Sequence, residues 1–211
     1  MENIRAFRRR FTFVVLVTAA LAACANTRGA SSPSASPLAA PQSTPLATPA
    51  TAMPPGFVGT HYPTQGHTHL TPGEPDDFVY NSNPPTSGPH REILSDAFQS
   101  QTPLPSYVQV HLLEHGNVLL QYNCKCPDVA AALGQIAMQF DKLFMAPGEG
   151  QPSIAEVQNA EDQGKAVIVA PYPHMQSKVA VSAWTHLGTL RTVDTVKIQS
   201  FIKAHLGNPS D

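Results

Sequence analysis

Cysteine is scarce in this chain: 211 residues hold three, Cys24, Cys124 and Cys126. So few cannot staple a fold, so stability must come from a buried core. Long apolar runs are absent too. The longest, "FTFVVLVTAALAA", has about a dozen residues, short of the ~20 that a spanning helix needs. Basic charge is concentrated at the start, where Arg5, Arg8, Arg9 and Arg10 stand within "MENIRAFRRR". Without residues 1–23 the formal charge falls from −2 to about −5. A mildly acidic domain with scattered lysines excludes nucleic acid as a partner.

Basic residues, a short apolar stretch and then "LAAC" have the order of a secretory leader. The cysteine directly after small residues resembles a bacterial lipobox. That resemblance implies cleavage after residue 23 and attachment of lipid to Cys24. Residues 24–55 follow with Pro, Ser, Ala and Thr and no hydrophobic period, so they read as a disordered tether. Such a segment reaches roughly 30 Å as a flexible coil. The expected location is therefore the extracytoplasmic face of a bacterial envelope membrane, with membrane lipid as partner through Cys24. No protein partner can be named.

Residues 56–207 are long enough for one globular domain, with 208–211 as a tail. Its first third is loop-rich, and only "FVY" (Phe78–Tyr80) reads as a strand there. Periodicity then sharpens. "SYVQVHLLEH" sets Val108, His111, Leu112 and His115 on one helical face, ended by Gly116, and "NVLLQYN" is an apolar strand. "PDVAAALGQIAMQFDKLF" carries Val129, Leu133, Ile136, Phe140 and Leu143 at helical spacing. Ser153 and Glu156 form a capping box opening a short helix that ends at Gly164. "KAVIVAPY" and "KVAVSAW" read as two strands joined by a tight connection at Met175–Ser177. A last helix is expected with Thr192 as its cap, Ile198, Phe201 and Ile202 inward, and Gly207 at its end. The class is α+β, a mixed sheet flanked by helices in the order α-β-α-α-β-β-α. A thioredoxin-like layout has this order.

Several stretches together, "YNSNPPTSGPH", "VHLLEHGNVLLQY", "VAPYP", "VAVSAWTHLGTL" and "IQSFIKAHLG", resemble the bacterial domain of unknown function numbered 3105. The resemblance spans nearly all of residues 66–207. It implies a membrane-attached domain outside the cytoplasm, with histidines at His69, His90, His111 and His115 and a tryptophan at Trp184. It implies no activity. The "CKC" stretch departs from the pattern of most relatives.

Three chemistries remain in play. "HLLEH" satisfies H-x-x-E-H, a zinc peptidase signature in which both histidines bind metal and the glutamate is general base. On a helix His111 and His115 stand about 6 Å apart and can converge. On a strand they would be about 13 Å apart. Such peptidases are much larger, and a strand follows this motif at once, which weighs against an enzyme. Binding of Zn or Cu needs less: His69, His90, His111 and His115 as ligands, with Glu114 orienting one of them from outside. The structural alternative leaves the loop histidines exposed and His111 bonded to the Pro-Pro-Thr-Ser-Gly turn. Third, Cys124 and Cys126 lie between a strand and a helix N-terminus, where a thiolate is favoured. They suit a small-ring disulfide, a soft metal site or dithiol exchange. Trp184 and Tyr122 read as core, His186 and His205 as surface or capping residues, and His174 as a loop residue.

Overall fold

The computed structural model describes residues 56–75, 77–141, 143 and 150–210. The expected leader at 1–23, the expected tether at 24–55 and Cys24 lie outside the described residues. Within them the elements are β1 (Thr60–His61), α1 (Ser106–Glu114), β2 (Val118–Tyr122), α2 (Pro127–Ala137), α3 (Ile154–Asp162), β3 (Val167–Pro171), β4 (Val179–Ala183), β5 (His186–Leu190) and α4 (Thr195–His205).

Five strands form one mixed sheet in the order β1-β5-β4-β2-β3. β2 is parallel to β3 and antiparallel to β4, and β5 is antiparallel to β4 and β1. All five residues of β2 and all five of β4 are buried, as strands covered on both faces must be. The α+β class and the mixed sheet between helices match expectation. The β2-α2-α3-β3 crossover, the β4–β5 hairpin and the final α4 repeat the connectivity of a thioredoxin-like layout.

Several local expectations are corrected. β3 and β4 do not pair; residues 172–178 carry the chain past β2, whose apolar residues require a neighbour on each side. The hairpin is β4 with β5, an element hidden in "HLGTL" by its glycine and polar residues. Phe78–Tyr80 is not a strand, whereas Thr60–His61 is. α2 stops at Ala137 as Gln139 and Phe140 bond back to Ile136 and Ala137, a tightening that leaves Leu143 exposed. Asp194, not Thr192, caps α4, its carboxylate accepting from the Lys197 N–H at 3.1 Å. The capping box at Ser153 and Glu156 forms as expected.

α1 departs from simple amphipathicity: every residue from Val108 to Leu113 is buried. Its buried polar group Gln109 donates to the Leu104 carbonyl at 2.6 Å and accepts from Gln121 at 3.0 Å, so burial leaves neither amide atom stranded. A helix so enclosed holds its C-terminal turn rigidly, and that turn is "HLLEH".

Candidate metal centre

Two strands of irregular chain carry histidines to this turn. A parallel bridge joins His69 to His90. The His90 N–H donates to the Thr68 carbonyl (3.0 Å) and the Leu70 N–H to the His90 carbonyl (2.7 Å). The turn-former run before His90 is not a solvated loop, since Pro84 to Gly88 are all buried. It is fixed by Tyr80 donating to the Pro89 carbonyl (2.8 Å), a Ser82–Thr86 hydroxyl pair (3.0 Å) and the Thr185 N–H donating to the Thr86 carbonyl (3.0 Å). Turn residues here satisfy their own backbone groups, which is what permits burial.

The opposite wall is the end of α1. Gly116 adopts φ +94°, ending the helix, and its carbonyl accepts from the Gly207 N–H at 2.9 Å. The Ser210 N–H bonds the Glu114 carbonyl at 2.9 Å, so residues 208–210 seal this helix end.

Glu114 lies at the centre of the cluster. Its Oε2 is 2.9 Å from His90 Nε2, 3.1 Å from His69 Nε2 and 3.5 Å from His111 Nδ1; its Oε1 is 3.3 Å from His67 Nδ1. His69, His90, His111 and Glu114 each offer one ligand atom, all within 4.8 Å of one another. His90 is fully buried, His111 nearly so, and His69 remains open to solvent.

The outward bonds assign the tautomers. His90 Nδ1 faces the Gly88 carbonyl at 2.9 Å, so it must be the N–H, and His69 Nδ1 faces Glu92 Oε1 at 2.9 Å. In the neutral rings both Nε2 lone pairs then point at the Glu114 carboxylate. Two acceptors stand that close only with positive charge between them, supplied by protons or by a cation. The carboxyl responds to these neighbours. Burial pushes it up, but hydrogen bonding to His69 and attraction to His90 outweigh this and hold it below the usual carboxylate range. His111 is different: burial, then the neighbouring charges of His115 and His90, push its imidazole down to about 4, so it is neutral. Its buried Nδ1 has no hydrogen-bond partner, because 3.5 Å from Glu114 is too far.

Of the expected ligands, the structure brings His69, His90 and His111 together and does not bring His115 into the group. The His115 ring meets that of His111 edge-on at 4.6 Å, but its Nδ1 bonds the Asp162 carbonyl at 3.0 Å on α3. Glu114, expected as an outer orienting group, is the fourth converging side chain. His115 is therefore not among the side chains whose ligand atoms converge, and the motif pair does not by itself define the group. Sequence reasoning passed over His67; its spacing of two from His69 was the available signal. His186 rests on the Trp184 carbonyl (3.0 Å) and His205 on that of Val58 (2.9 Å), both partly buried and neither capping a helix, and Tyr122 and Trp184 pack with the core. Cys124 and Cys126 form a disulfide, Cα–Cα 5.3 Å, between β2 and α2.

The chain belongs to the family described as Protein of unknown function (DUF3105), which matches residues 73–211. The match contains His90, His111 and Glu114 and begins after His67 and His69. No curated protein and no solved structure matches the chain.

Proposed function

We propose that the protein is a membrane-tethered bacterial envelope lipoprotein whose domain holds one transition-metal ion, Zn(II) or Cu(II), at His69, His90, His111 and Glu114. The observation that carries the metal is the convergence of three imidazole nitrogens on Glu114 Oε2 while the outer nitrogens of His69 and His90 are already engaged. Outward bonds of this kind fix the ring and tautomer of a metal-bound histidine. The spacing from the carboxylate fits as well. With bonds of about 2.0 Å, the edge of a tetrahedron is about 3.3 Å. The three nitrogens lie 2.9, 3.1 and 3.5 Å from the carboxylate oxygen. A cation replaces the shared protons and gives the unpartnered His111 nitrogen a bond.

Three imidazoles and a carboxylate, without thiolate, favour Zn(II) or Cu(II) over soft Cu(I). Four protein ligands fill a tetrahedral shell, which suits storage, delivery or structural use, since hydrolysis needs an open position. The lipoprotein part is supported by "LAAC" behind a basic, apolar leader.

The test is metal content of the purified chain after stripping and reloading, by elemental analysis. One equivalent is expected in the wild type and in His115→Ala. Less than a tenth of an equivalent is expected in His90→Ala, His111→Ala and Glu114→Ala. A wild type that retains neither metal, or a loss in His115→Ala as deep as in His111→Ala, refutes the site.

A further inference from the structure

The metal centre leaves "NCKCPD" unused. Cys124 and Cys126 follow the C-terminal end of β2, and Cys126 is the N-cap residue of α2. Both cysteines are half-buried and line a groove of about 630 Å³ together with Tyr122, Ala130, Met138, Gln99 and Gln135. Lys125 is the single charged residue of that lining. An apolar floor with amide side chains at its rim is chemistry for an uncharged, extended peptide, whose main chain the glutamines can bond and whose side chains the floor can cover.

We propose that the Cys124–Cys126 disulfide is a redox centre that oxidises pairs of thiols in peptide segments seated in this groove. The inference is independent of the metal. A thiolate of the bound segment attacks Cys124 Sγ, forming a mixed disulfide as the Cys124–Cys126 bond breaks. Cys126 departs as the thiolate, because the N-terminus of α2 favours negative charge there and a lower thiol pKa makes a faster leaving group. Lys125 assists, and Asp128 in the first turn of α2 opposes. The second thiol of the segment, as thiolate, then attacks its own sulfur in the mixed bond and expels Cys124. The segment leaves as a disulfide, having lost two electrons and two protons, and both protein cysteines are left as thiols. A disulfide-bearing acceptor takes those two electrons to restore the resting bond.

The experiment uses the purified full chain and a synthetic peptide with two cysteines in an apolar sequence. Loss of peptide thiols is followed by alkylation and mass spectrometry, with oxidised glutathione added for turnover. The wild type should oxidise one equivalent of peptide without glutathione and many with it. A matched peptide with charged flanks should react at least tenfold more slowly. With oxidised glutathione as the oxidant and a one-cysteine form of the peptide, Cys126→Ser should accumulate the mixed disulfide through Cys124 as the peptide thiol displaces glutathione, and Cys124→Ser at least tenfold less through Cys126. The proposal is overturned if the wild-type disulfide survives excess reduced peptide, or if both peptides react at one rate. Equal trapping by the two single variants overturns the assigned direction of attack.

Discussion

Raising the pH should destabilise this protein through one buried carboxyl, Glu161 on α3. It is fully buried, and its two oxygens face the Ser95 N–H (2.9 Å) and the Ser95 hydroxyl. Burial, against the two bonds from Ser95, pushes its carboxyl up to about 7 from 4.5, with Asp96 and Asp141 adding repulsion. The folded state therefore holds this proton at a pH where the unfolded chain has released it. Between 4.5 and about 7 the native state binds more protons, so unfolding free energy falls as pH rises. The contribution is fully present below 4.5 and lost once pH passes about 7. Each pH unit in that window is worth about 1.36 kcal/mol, so the loss is about 3 kcal/mol. That is roughly 6–12 °C of melting temperature for a domain of this size. Glu161→Gln removes the titration while its amide can still accept from the Ser95 N–H and donate to the hydroxyl. The assay is calorimetric melting of both proteins from pH 4.5 to 8, with chelator present so that metal binding does not shift the equilibrium. All other groups are common to both proteins and cancel in the difference. The variant should be no more stable at pH 4.5 and about 3 kcal/mol more stable at pH 8. A difference independent of pH, or a variant less stable at pH 8, refutes the reasoning.

Asn117 is fully buried and donates to the carbonyls of Leu112 (2.9 Å) and Glu161 (2.7 Å) while accepting from the Ala166 N–H (2.9 Å). Asn117→Ala strands the Ala166 N–H and removes one of two bonds from each carbonyl, which keep those from the Asn117 and Gly164 backbone N–H groups. It should cost about 2 kcal/mol in urea unfolding. Gly164 has φ +65°, and a Cβ there would lie 2.1 Å from the His115 carbonyl oxygen. Gly164→Ala should therefore destabilise by about 3 kcal/mol or more and weaken metal retention by shifting the end of α1. Mass spectrometry of membrane-extracted protein should find an acylated Cys24 as first residue; a product starting elsewhere ends the lipoprotein proposal.

Where one pattern dominated, the fold was legible from residues. Ile198, Phe201 and Ile202 recur at helical spacing and are buried, and β2 reads as an uninterrupted apolar run. What escaped depended on partners distant in sequence. Nothing local in "HLGTL" distinguishes β5, which exists because β4 pairs with it. Nothing local tells β3 from β4 as the neighbour of β2 on a given side, since both are short apolar runs. The burial of Pro84 to Gly88 likewise rests on contacts with residues 65–66 and 185, beyond the reach of any periodicity.

The motif divides its labour between two sides of α1. Helical spacing allows His111 and His115 to share a face, and that allowance led to pairing them as ligands. The chain beyond Gly116 decides otherwise. The end of α3 meets this helix end, where Asn117 bonds the Glu161 carbonyl and His115 bonds that of Asp162. His115 thereby ties α1 to α3, its ring against that of His111 and its nitrogens outside the converging group. Glu114, one position earlier, points to the loop side, where four imidazoles surround its carboxylate. Glu92 reaches only the outer nitrogen of His69, whereas Glu114 faces all four imidazoles, so the nitrogens on the inner side that carry a proton, or a metal, are drawn to it. The glutamate of "HLLEH" is thus an inner member of the site by electrostatics, and its second histidine a strut by geometry.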